Sequence, residues 1–192
     1  MSVLLFPPER VRQPVLLTAL AAVAVCETIQ TCARLRATIK WPNDVLVRGR
    51  KVCGILVEQG QGTVIGIGLN VNTPAEEFEE AELASAGSLC LFTPEPLDRE
   101  SVARTLIQRM DQSYGELLQG MTGDLEARWR CYSGLIGQPV CVQTTSAQYS
   151  GRVIEMGFDA IGVQDANEEV RRFSPEMVRH IYADWDDGAL MP

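Results

Sequence analysis

The sequence predicts an α+β protein in which a mixed β-sheet backed by helices is followed by a small β-barrel. Three short apolar runs between residues 39 and 72 are separated by polar and glycine-rich turns, as neighbouring strands are. Apolar residues then recur at helical spacing from Asp98 to Leu118. From about Leu135 the chain returns to short segments at the spacing of a small barrel, with strands predicted at residues 139–143, 149–155, 161–164 and 170–173. We therefore expect two domains, residues 1–134 and 135–192.

The N-terminal part predicts a strand and then a buried helix. Met1 to Phe6 is apolar and is followed by a proline-rich turn, and Pro14 to Cys26 is apolar and rich in alanine. Pro14 suits the first turn of a helix. A signal peptide is the alternative because Arg10 and Arg12 precede the run, yet the strand and turn before it differ from a charged N-terminal region. The run is also too short to cross a bilayer, so we expect a core helix and no membrane partner.

Two of the apolar runs read as a hairpin and the third as a buried strand. Val45 to Val47 and Ile55 to Val57 are joined by a turn that contains a glycine. In the third run, Val64 to Asn70, the residues Gly66 and Gly68 are two apart and therefore share a face. A strand face without side chains lets a ligand lie against the backbone, although bulges or tight packing would also explain the glycines.

A polar cluster surrounds a Trp-Pro pair just before the hairpin. Lys40, Asn43 and Asp44 flank Trp41 and Pro42, and the proline restricts the backbone on both sides. A lysine, an amide and a carboxylate fixed within five residues could orient a nucleotide or a metal-bound phosphate. Taken singly, the two charged residues read as surface charges, and Asp44 as a turn residue. No spacing of cysteine and histidine indicates a metal site.

Three further helices are expected after residue 72. The glutamate-rich segment from Pro74 to Ala86 reads as a surface helix, and Asp98 to Leu118 as a long amphipathic helix capped by Asp98 or Ser101. Leu125 to Tyr132 continues as another helix, in which Trp129 is expected to pack in the core. We assign these helices no chemistry.

Three ordered motifs make the chain resemble the biotin protein ligases, the biotin–[acetyl-CoA-carboxylase] ligase family. The motifs are Lys40-Trp-Pro-Asn-Asp44, Lys51 with Gly54-Ile-Leu-Val-Glu58, and Gly66-Ile-Gly-Leu-Asn-Val-Asn72. The resemblance runs from about Ser2 to about Ile181 and implies a class II synthetase-like catalytic core followed by an SH3-like barrel. It also implies an ATP-dependent ligase that activates biotin as biotinyl-5′-AMP, with Mg²⁺, and transfers it to a lysine of a biotin carboxyl carrier protein. Lipoate–protein ligase is the alternative enzyme.

The resemblance also implies roles for single residues. Lys51 would be the cation between the biotin carboxylate and the α-phosphate, and Asp44 would assist the second step beside the acceptor amine. The residues implied to contact biotin or the nucleotide are Lys40, Trp41, Asn43, Gly54, Ile55, Gly66, Gly68 and Asn70. The family also places an acidic residue and an arginine near its last strand, where they reach back to the nucleotide, and Glu176 and Arg179 are the nearest candidates.

One family feature is missing from the sequence. The family carries a glycine- and arginine-rich loop just before a strand that resembles Ser2 to Phe6, and no such segment occurs here. We therefore expect an incomplete catalytic domain, a 192-residue chain that is inactive alone, and an open strand edge beside Val3 to Leu5 that favours association, for example as a homodimer. A non-catalytic binding module of the same fold is the second hypothesis.

Composition excludes some classes of function. A net charge of −8 argues against a nucleic-acid-binding surface, and no helix-turn-helix is visible, so we expect no DNA-binding domain in this chain. Six cysteines without paired spacing are expected to be reduced and mostly buried, as in a cytoplasmic enzyme. His180, the single histidine, is expected to pack or cap rather than to catalyse.

Overall fold

The computed structural model describes residues 1–183, which form two five-stranded sheets and four α-helices. The first sheet contains β1 (Ser2–Leu5), β2 (Ala37–Lys40), β3 (Asp44–Val47), β4 (Arg50–Gln59) and β5 (Thr63–Leu69), in the order β1-β5-β4-β3-β2. The helices are α1 (Pro14–Ala33), α2 (Ala75–Glu80), α3 (Arg99–Leu118) and α4 (Thr122–Ser133). The second sheet contains β6 (Pro139–Thr144), β7 (Gln148–Met156), β8 (Ile161–Gln164), β9 (Val170–Phe173) and β10 (Val178–Ala183), in the order β10-β6-β7-β8-β9.

The α+β class is confirmed, but the expected mixed sheet is wrong. All four strand pairs of the first sheet are antiparallel. Three of them join strands that are consecutive in sequence, and such pairs need only a short turn instead of a helical crossover. The hairpin turn carries positive φ angles at Arg48 (49°) and Gly49 (78°), as a two-residue turn of type I′ requires. The predicted hairpin is therefore confirmed.

Helix α1 contributes more buried residues to the core than any other helix in the described part of the chain. It begins at Pro14, as expected, and extends over 20 residues to Ala33. The predicted end at Cys26, and with it the statement that the segment is too short to cross a bilayer, is therefore wrong. By length and composition it could cross a bilayer, yet 67% of its most apolar window is buried inside the fold. It packs against β4 and β5 on one side and against α3 and α4 on the other. The buried face explains why the alanines are there, because small side chains allow close packing.

The remaining helices follow the sequence pattern except for the acidic one. Helix α3 is capped by Asp98, whose carboxylate accepts hydrogen bonds from the backbone of Glu100 and Ser101 at 3.3 and 3.1 Å. Trp129 is 2% exposed, which confirms its packing role. The predicted helix from Pro74 to Ala86 is wrong beyond Glu80, because the chain leaves the helix there and folds back onto β4.

The second sheet is antiparallel throughout and is consistent with the expected SH3-like domain. Four of its strands were predicted, and β10 was not. Trp41 links the two sheets, since its indole Nε1 donates a hydrogen bond to the backbone oxygen of Val178 at 3.0 Å. Trp129 lies between Trp41 and Phe158, with ring centroids 5.9 and 5.2 Å apart. One apolar core therefore runs through both parts of the fold.

The cysteines are less buried than expected. All six are free, but only Cys26 and Cys53 are fully buried, and Cys131 on α4 is exposed. The expectation of mostly buried thiols is therefore wrong, because Cys32, Cys90 and Cys141 are only partly buried. His180 is exposed on β10, where its ring lies 5.7 Å from that of Tyr182.

Candidate active site

A cleft of about 550 Å³ opens on the face of the first sheet that is turned away from α1. Its walls come from β1, β3, β4 and β5. Seven of the residues predicted for the site line it, namely Asn43, Asp44, Lys51, Gly54, Ile55, Gly66 and Gly68. Four residues that were not predicted, Met1, Ser2, Leu56 and Ile67, complete the lining. Sequence reasoning missed these four because none of them belongs to a residue type that indicates a catalytic or binding role by itself.

The floor of the cleft is formed by three glycines, Gly54, Gly66 and Gly68, with Leu56 beside them. Gly68 pairs with Gly54 across β5 and β4, and Gly66 pairs with Leu56 in the next position on the same face. A Cβ atom added at Gly68 would meet only the backbone oxygen of Gly54, at 3.8 Å. One added at Gly66 would meet nothing closer than 3.7 Å. Both glycines are in regular register with open space above them, so bulges or tight packing do not explain them.

A β-bulge directs Lys51 into the cleft. The register between β3 and β4 shifts by one residue, because Leu46 pairs with Lys51 whereas Val45 pairs with Cys53. The extra residue is Val52, and both Val52 and Cys53 are buried. In a regular strand Lys51 and Cys53 would share a face, but here Lys51 shares the cleft with Gly54. A bulge commonly re-aims a side chain in this way.

Lys51 and Asp44 form an ion pair at one end of the glycine floor. The Nζ of Lys51 lies 2.6 Å from Oδ1 of Asp44, and the two side chains are 46% and 24% exposed. Gly54 gives the pair its room, since a Cβ there would lie 3.4 Å from Cε of Lys51. A pair this open to water contributes little to stability. Its ammonium group is therefore available to an anion that enters the cleft.

The thiol beneath this pair is not available for chemistry. Burial, together with the neighbouring carboxylate of Asp44, raises the pKa of Cys53 to about 12. The nucleophile of a cysteine is the thiolate. Cys53 therefore stays protonated at neutral pH, and the cation of the cleft is the group that can act on a substrate.

Two asparagines hold the backbone around the cleft. Asn43 donates from Nδ2 to the oxygen of Ile55 at 2.7 Å and accepts on its backbone oxygen from the nitrogen of Ile55 at 2.9 Å. Asn70, at the end of β5, donates from Nδ2 to the oxygen of Gly87 at 3.0 Å. Asn70 does not line the cleft. Its predicted contact with a nucleotide stays a prediction.

Four more predicted residues lie outside the cleft lining. Trp41 is buried between the two sheets, and Lys40 ends β2 beside it. Glu176 accepts a hydrogen bond from Oγ of Ser174, and Arg179 is exposed on β10. They lie within two residues of Val178, whose backbone oxygen accepts the hydrogen bond from Trp41. They are therefore placed beside the segment 40–44, and they do not line the cleft. Their predicted contacts with the nucleotide are not visible in this geometry and stay predictions.

The segment that builds the cleft is similar to a known protein family. Residues 1–72, which contain every lining residue, match the Biotin/lipoate A/B protein ligase family. This likeness covers the first sheet and α1, and the rest of the chain lies outside it. Two curated relatives extend the likeness. The bifunctional ligase/repressor BirA of Bacillus subtilis is 29% identical over 178 residues, which are 90% of this chain and 55% of that protein. The biotin–[acetyl-CoA-carboxylase] ligase of Mycobacterium tuberculosis is 36% identical over 113 residues, which are 57% of this chain and 40% of that protein.

The biotin/lipoate ligase fold extends through both sheets. The biotin protein ligase from Aquifex aeolicus in complex with biotin and ATP superposes with a TM-score of 0.78 at 19% identity, over 95% of this chain and 76% of that one. The apo structure of the same enzyme gives a TM-score of 0.79 at 19% identity, over 95% and 81%. These likenesses confirm the fold. The chain spans about half the length of the curated relatives that it matches.

A metal ion would find few protein ligands in the described part of this chain. Between residues 1 and 183 no three side chains of His, Cys, Asp or Glu converge. The nearest carboxylate to the glycine floor is that of Asp44, which pairs with Lys51. Magnesium commonly binds through one or two carboxylates together with the phosphates of a substrate. A metal ion at this cleft would therefore depend on a nucleotide for most of its ligands.

Proposed function

We propose that this protein is an ATP-dependent biotin–protein ligase. In the first step a carboxylate oxygen of biotin attacks the α-phosphorus of ATP, which forms biotinyl-5′-AMP and releases pyrophosphate. In the second step a lysine amine of a carrier protein attacks the acyl carbon, which forms an amide and releases AMP. The observation that carries the proposal is the Lys51 ammonium beside a floor of backbone glycines.

The first step brings two anions together. A carboxylate and a phosphate repel each other, and a fixed cation where they meet lowers the energy of the transition state. Lys51 can supply this charge, because the bulge turns it into the cleft and its ion pair is open to water. The strip formed by Gly54, Gly66 and Gly68 offers a flat surface for the ring system of biotin. Ile55 and Leu56 add apolar contacts beside it.

The second step needs an acceptor amine without its proton. Asp44 lies 2.6 Å from the ammonium of Lys51, so its carboxylate can orient the acceptor lysine or accept its proton close to the acyl phosphate. The names of the relatives from Mycobacterium tuberculosis and Paracoccus denitrificans refer to acetyl-CoA carboxylase, which supports a biotin carboxyl carrier protein as the acceptor. We expect the reaction to take place in the cytoplasm, with magnesium bound to the phosphates of ATP.

Self-association is part of the proposal. Strand β1 pairs with β5 on one side only and forms the edge of the first sheet. Leu4 and Phe6 are 59% and 73% exposed next to this edge. An exposed apolar edge strand is a template for pairing with another chain. A homodimer is the form we expect, and sedimentation equilibrium would measure it.

The proposal is tested by pyrophosphate release with ATP and magnesium, in the presence of biotin or of lipoate. The assay is run on the 192-residue chain and on a version extended upstream in its gene. Biotin-dependent release by either form supports the proposal. Release that depends on lipoate instead would identify a lipoate–protein ligase. Binding of biotin with no release by either form would favour a non-catalytic binding module.

A further inference from the structure

The main chain of Lys51 is held from the side opposite to β3. Strand β5 ends at Leu69, and beyond this point the segment 85–87 takes its place beside β4. The backbone nitrogen of Lys51 donates to the oxygen of Ser85 at 2.8 Å, and the nitrogen of Gly87 donates to the oxygen of Lys51 at 2.9 Å. Both backbone groups of the residue that carries the cation are therefore fixed by one short segment.

Asn70 connects the segment 85–87 to the first sheet through hydrogen bonds. Its backbone nitrogen donates to the oxygen of Val52, the extra residue of the bulge, at 2.8 Å. Its side-chain Nδ2 donates to the oxygen of Gly87 at 3.0 Å. The nitrogen of Leu89 donates to the backbone oxygen of Asn70 at 3.0 Å. Asn70 thus bonds both to the bulge and to the segment that pairs with Lys51.

Gly87 is the position that lets the segment lie so close to β4. It is buried, and a Cβ atom there would lie 3.0 Å from Cβ and 3.3 Å from Cδ of Arg50. These distances are shorter than ordinary van der Waals contact, so a side chain would push the segment and β4 apart. The φ angle of Gly87 is not in the left-handed region, so closeness to Arg50 is the reason for glycine here.

We propose that residues 85–87 together with Asn70 form a positioning clamp, which sets the place of the Lys51 ammonium through its backbone. This inference rests on the proposed function and deepens it. Gly87 and Asn70 are positioning residues, and Lys51 is the residue that meets the reacting groups. The clamp keeps Val52 in the bulge, and the bulge keeps Lys51 on the cleft face.

The clamp should affect the rate of the first step and leave biotin affinity unchanged. Biotin would rest on Gly66 and Gly68, whose strand is paired with β1 and β4 independently of residues 85–87. The rate depends on the position of the cation between the two anions, and a misplacement of about 1 Å can lower a rate about a hundredfold. A kcat that falls while biotin binding persists is therefore the signature of the clamp.

Gly87→Ala tests the inference in the form of the protein that adenylates biotin. We expect kcat for biotin-dependent pyrophosphate release to fall about tenfold to a hundredfold, with the Kd for biotin unchanged by calorimetry. We also expect faster hydrogen exchange at the backbone amide of Lys51, because its bond to Ser85 is weakened.

A second substitution supplies a rescue. Arg50→Gly removes the two atoms that would lie too close to the new methyl group and leaves only Phe92 at an ordinary contact distance of 3.7 Å. The double variant Arg50→Gly with Gly87→Ala should therefore recover most of the kcat lost by Gly87→Ala alone. Gly62→Ala is the matched control, because its Cβ would also collide, with Leu4 at 2.9 Å and with the backbone of Leu5 at 3.0 Å, outside the cleft lining. This control should lower stability without changing kcat.

The two proposals fail in different ways. An unchanged kcat in Gly87→Ala, or a loss of kcat that Gly62→Ala reproduces at equal stability, would overturn the clamp. If the wild-type protein releases no pyrophosphate with biotin, the proposed function fails. The exchange rate of the Lys51 amide then decides on the clamp alone, and a rate unchanged by Gly87→Ala would overturn it.

Discussion

At the scale of single residues, Lys51 carries the charge on which the proposed chemistry depends. Lys51→Ala should lower the rate of biotin adenylation by a factor that corresponds to about 3 kcal/mol or more, because it removes a contact with the charge of the transition state. Lys51→Arg should fail as well, since a planar guanidinium directs its protons differently from a compact ammonium. Pyrophosphate release measures the loss. The fold should persist, because the side chain is 46% exposed and its partner Asp44 can be solvated.

The control for Lys51 lies in the same hairpin. Arg48 is exposed at the turn, where its guanidinium lies 5.6 Å from the ring centroid of Phe92, and it does not line the cleft. Arg48→Ala removes a positive charge from the hairpin without removing the cation of the cleft. Wild-type adenylation by Lys51→Ala, or an equal loss in Arg48→Ala, would exclude Lys51 from the mechanism.

Gly68 tests the floor of the cleft in the same manner. Gly68→Val should weaken biotin binding strongly and leave folding almost unchanged. A β-branched residue suits a strand, and its Cβ would meet only one backbone oxygen at 3.8 Å, but its methyl groups would occupy the space above the floor. Calorimetric titration with biotin and thermal unfolding measure the two effects separately.

Ile65→Val is the matched control on the opposite face of the same strand. Ile65 is fully buried and does not line the cleft, so this change should lower the free energy of unfolding by about 1 kcal/mol and leave biotin affinity unchanged. If Gly68→Val binds biotin like the wild type, the glycines serve the fold and the ligand lies elsewhere.

At the scale of elements, the hairpin was predictable and the bulge within it was not. A glycine after Arg48 between two apolar runs specifies the turn, and the spacing of Gly66 and Gly68 specifies a shared face. The register shift at Val52 depends on hydrogen bonds to Asn70 and to residues near Ser85, which are far apart in sequence. Two consecutive apolar residues, Val52 and Cys53, are the trace that it leaves in the sequence.

The prediction of a helix from Pro74 to Ala86 was wrong beyond Glu80 because contacts distant in sequence decide the structure there as well. Its glutamates favour a helix up to Ala86 by local pattern, but Glu82 adopts a positive φ of 55° and the chain turns back. Ser85 and Gly87 then bond to Lys51, more than thirty positions away. Pairing over such a distance overrides local propensity, and no pattern within a short window can indicate it.

Trp41 belongs to the contact between the two sheets, and its replacement tests that assignment. Trp41→Phe should lower the free energy of unfolding by about 1 to 3 kcal/mol, because the buried oxygen of Val178 loses its donor. Urea unfolding measures the change. The Kd for biotin should stay as in the wild type, since Trp41 does not line the cleft. A large loss of affinity at unchanged stability would instead support the predicted role in binding.

At the scale of the whole molecule, the two sheets behave as one packed body. The second sheet begins a few residues after α4 ends, and Gly134 adopts a positive φ of 61° at that point. The sequence predicted two domains from the change of pattern near Leu135, but it could not predict their contact. That contact is made by Trp41, Trp129 and Phe158, which are spread over more than a hundred positions. The buried thiols Cys26 and Cys53 lie in the same continuous core, so their ionisation depends on whether the core is folded.

These two thiols predict how stability depends on pH. Burial raises the pKa of Cys53 from its ordinary 9.0 to about 12 and raises the pKa of Cys26 in the same direction. Below pH 9 both thiols are protonated whether the chain is folded or not, so their contribution to stability is complete. Above pH 9 only the unfolded chain loses these protons, and the free energy of unfolding should fall by about 1.4 kcal/mol per pH unit for each thiol.

Urea unfolding between pH 8 and pH 11 measures this slope of the free energy of unfolding against pH. Cys53→Ala should reduce the slope by the contribution of one thiol. Cys131→Ala changes an exposed thiol and should leave the slope as in the wild type. Equal slopes in the wild type and in Cys53→Ala would show that the Cys53 thiol does not resist ionisation in the folded chain.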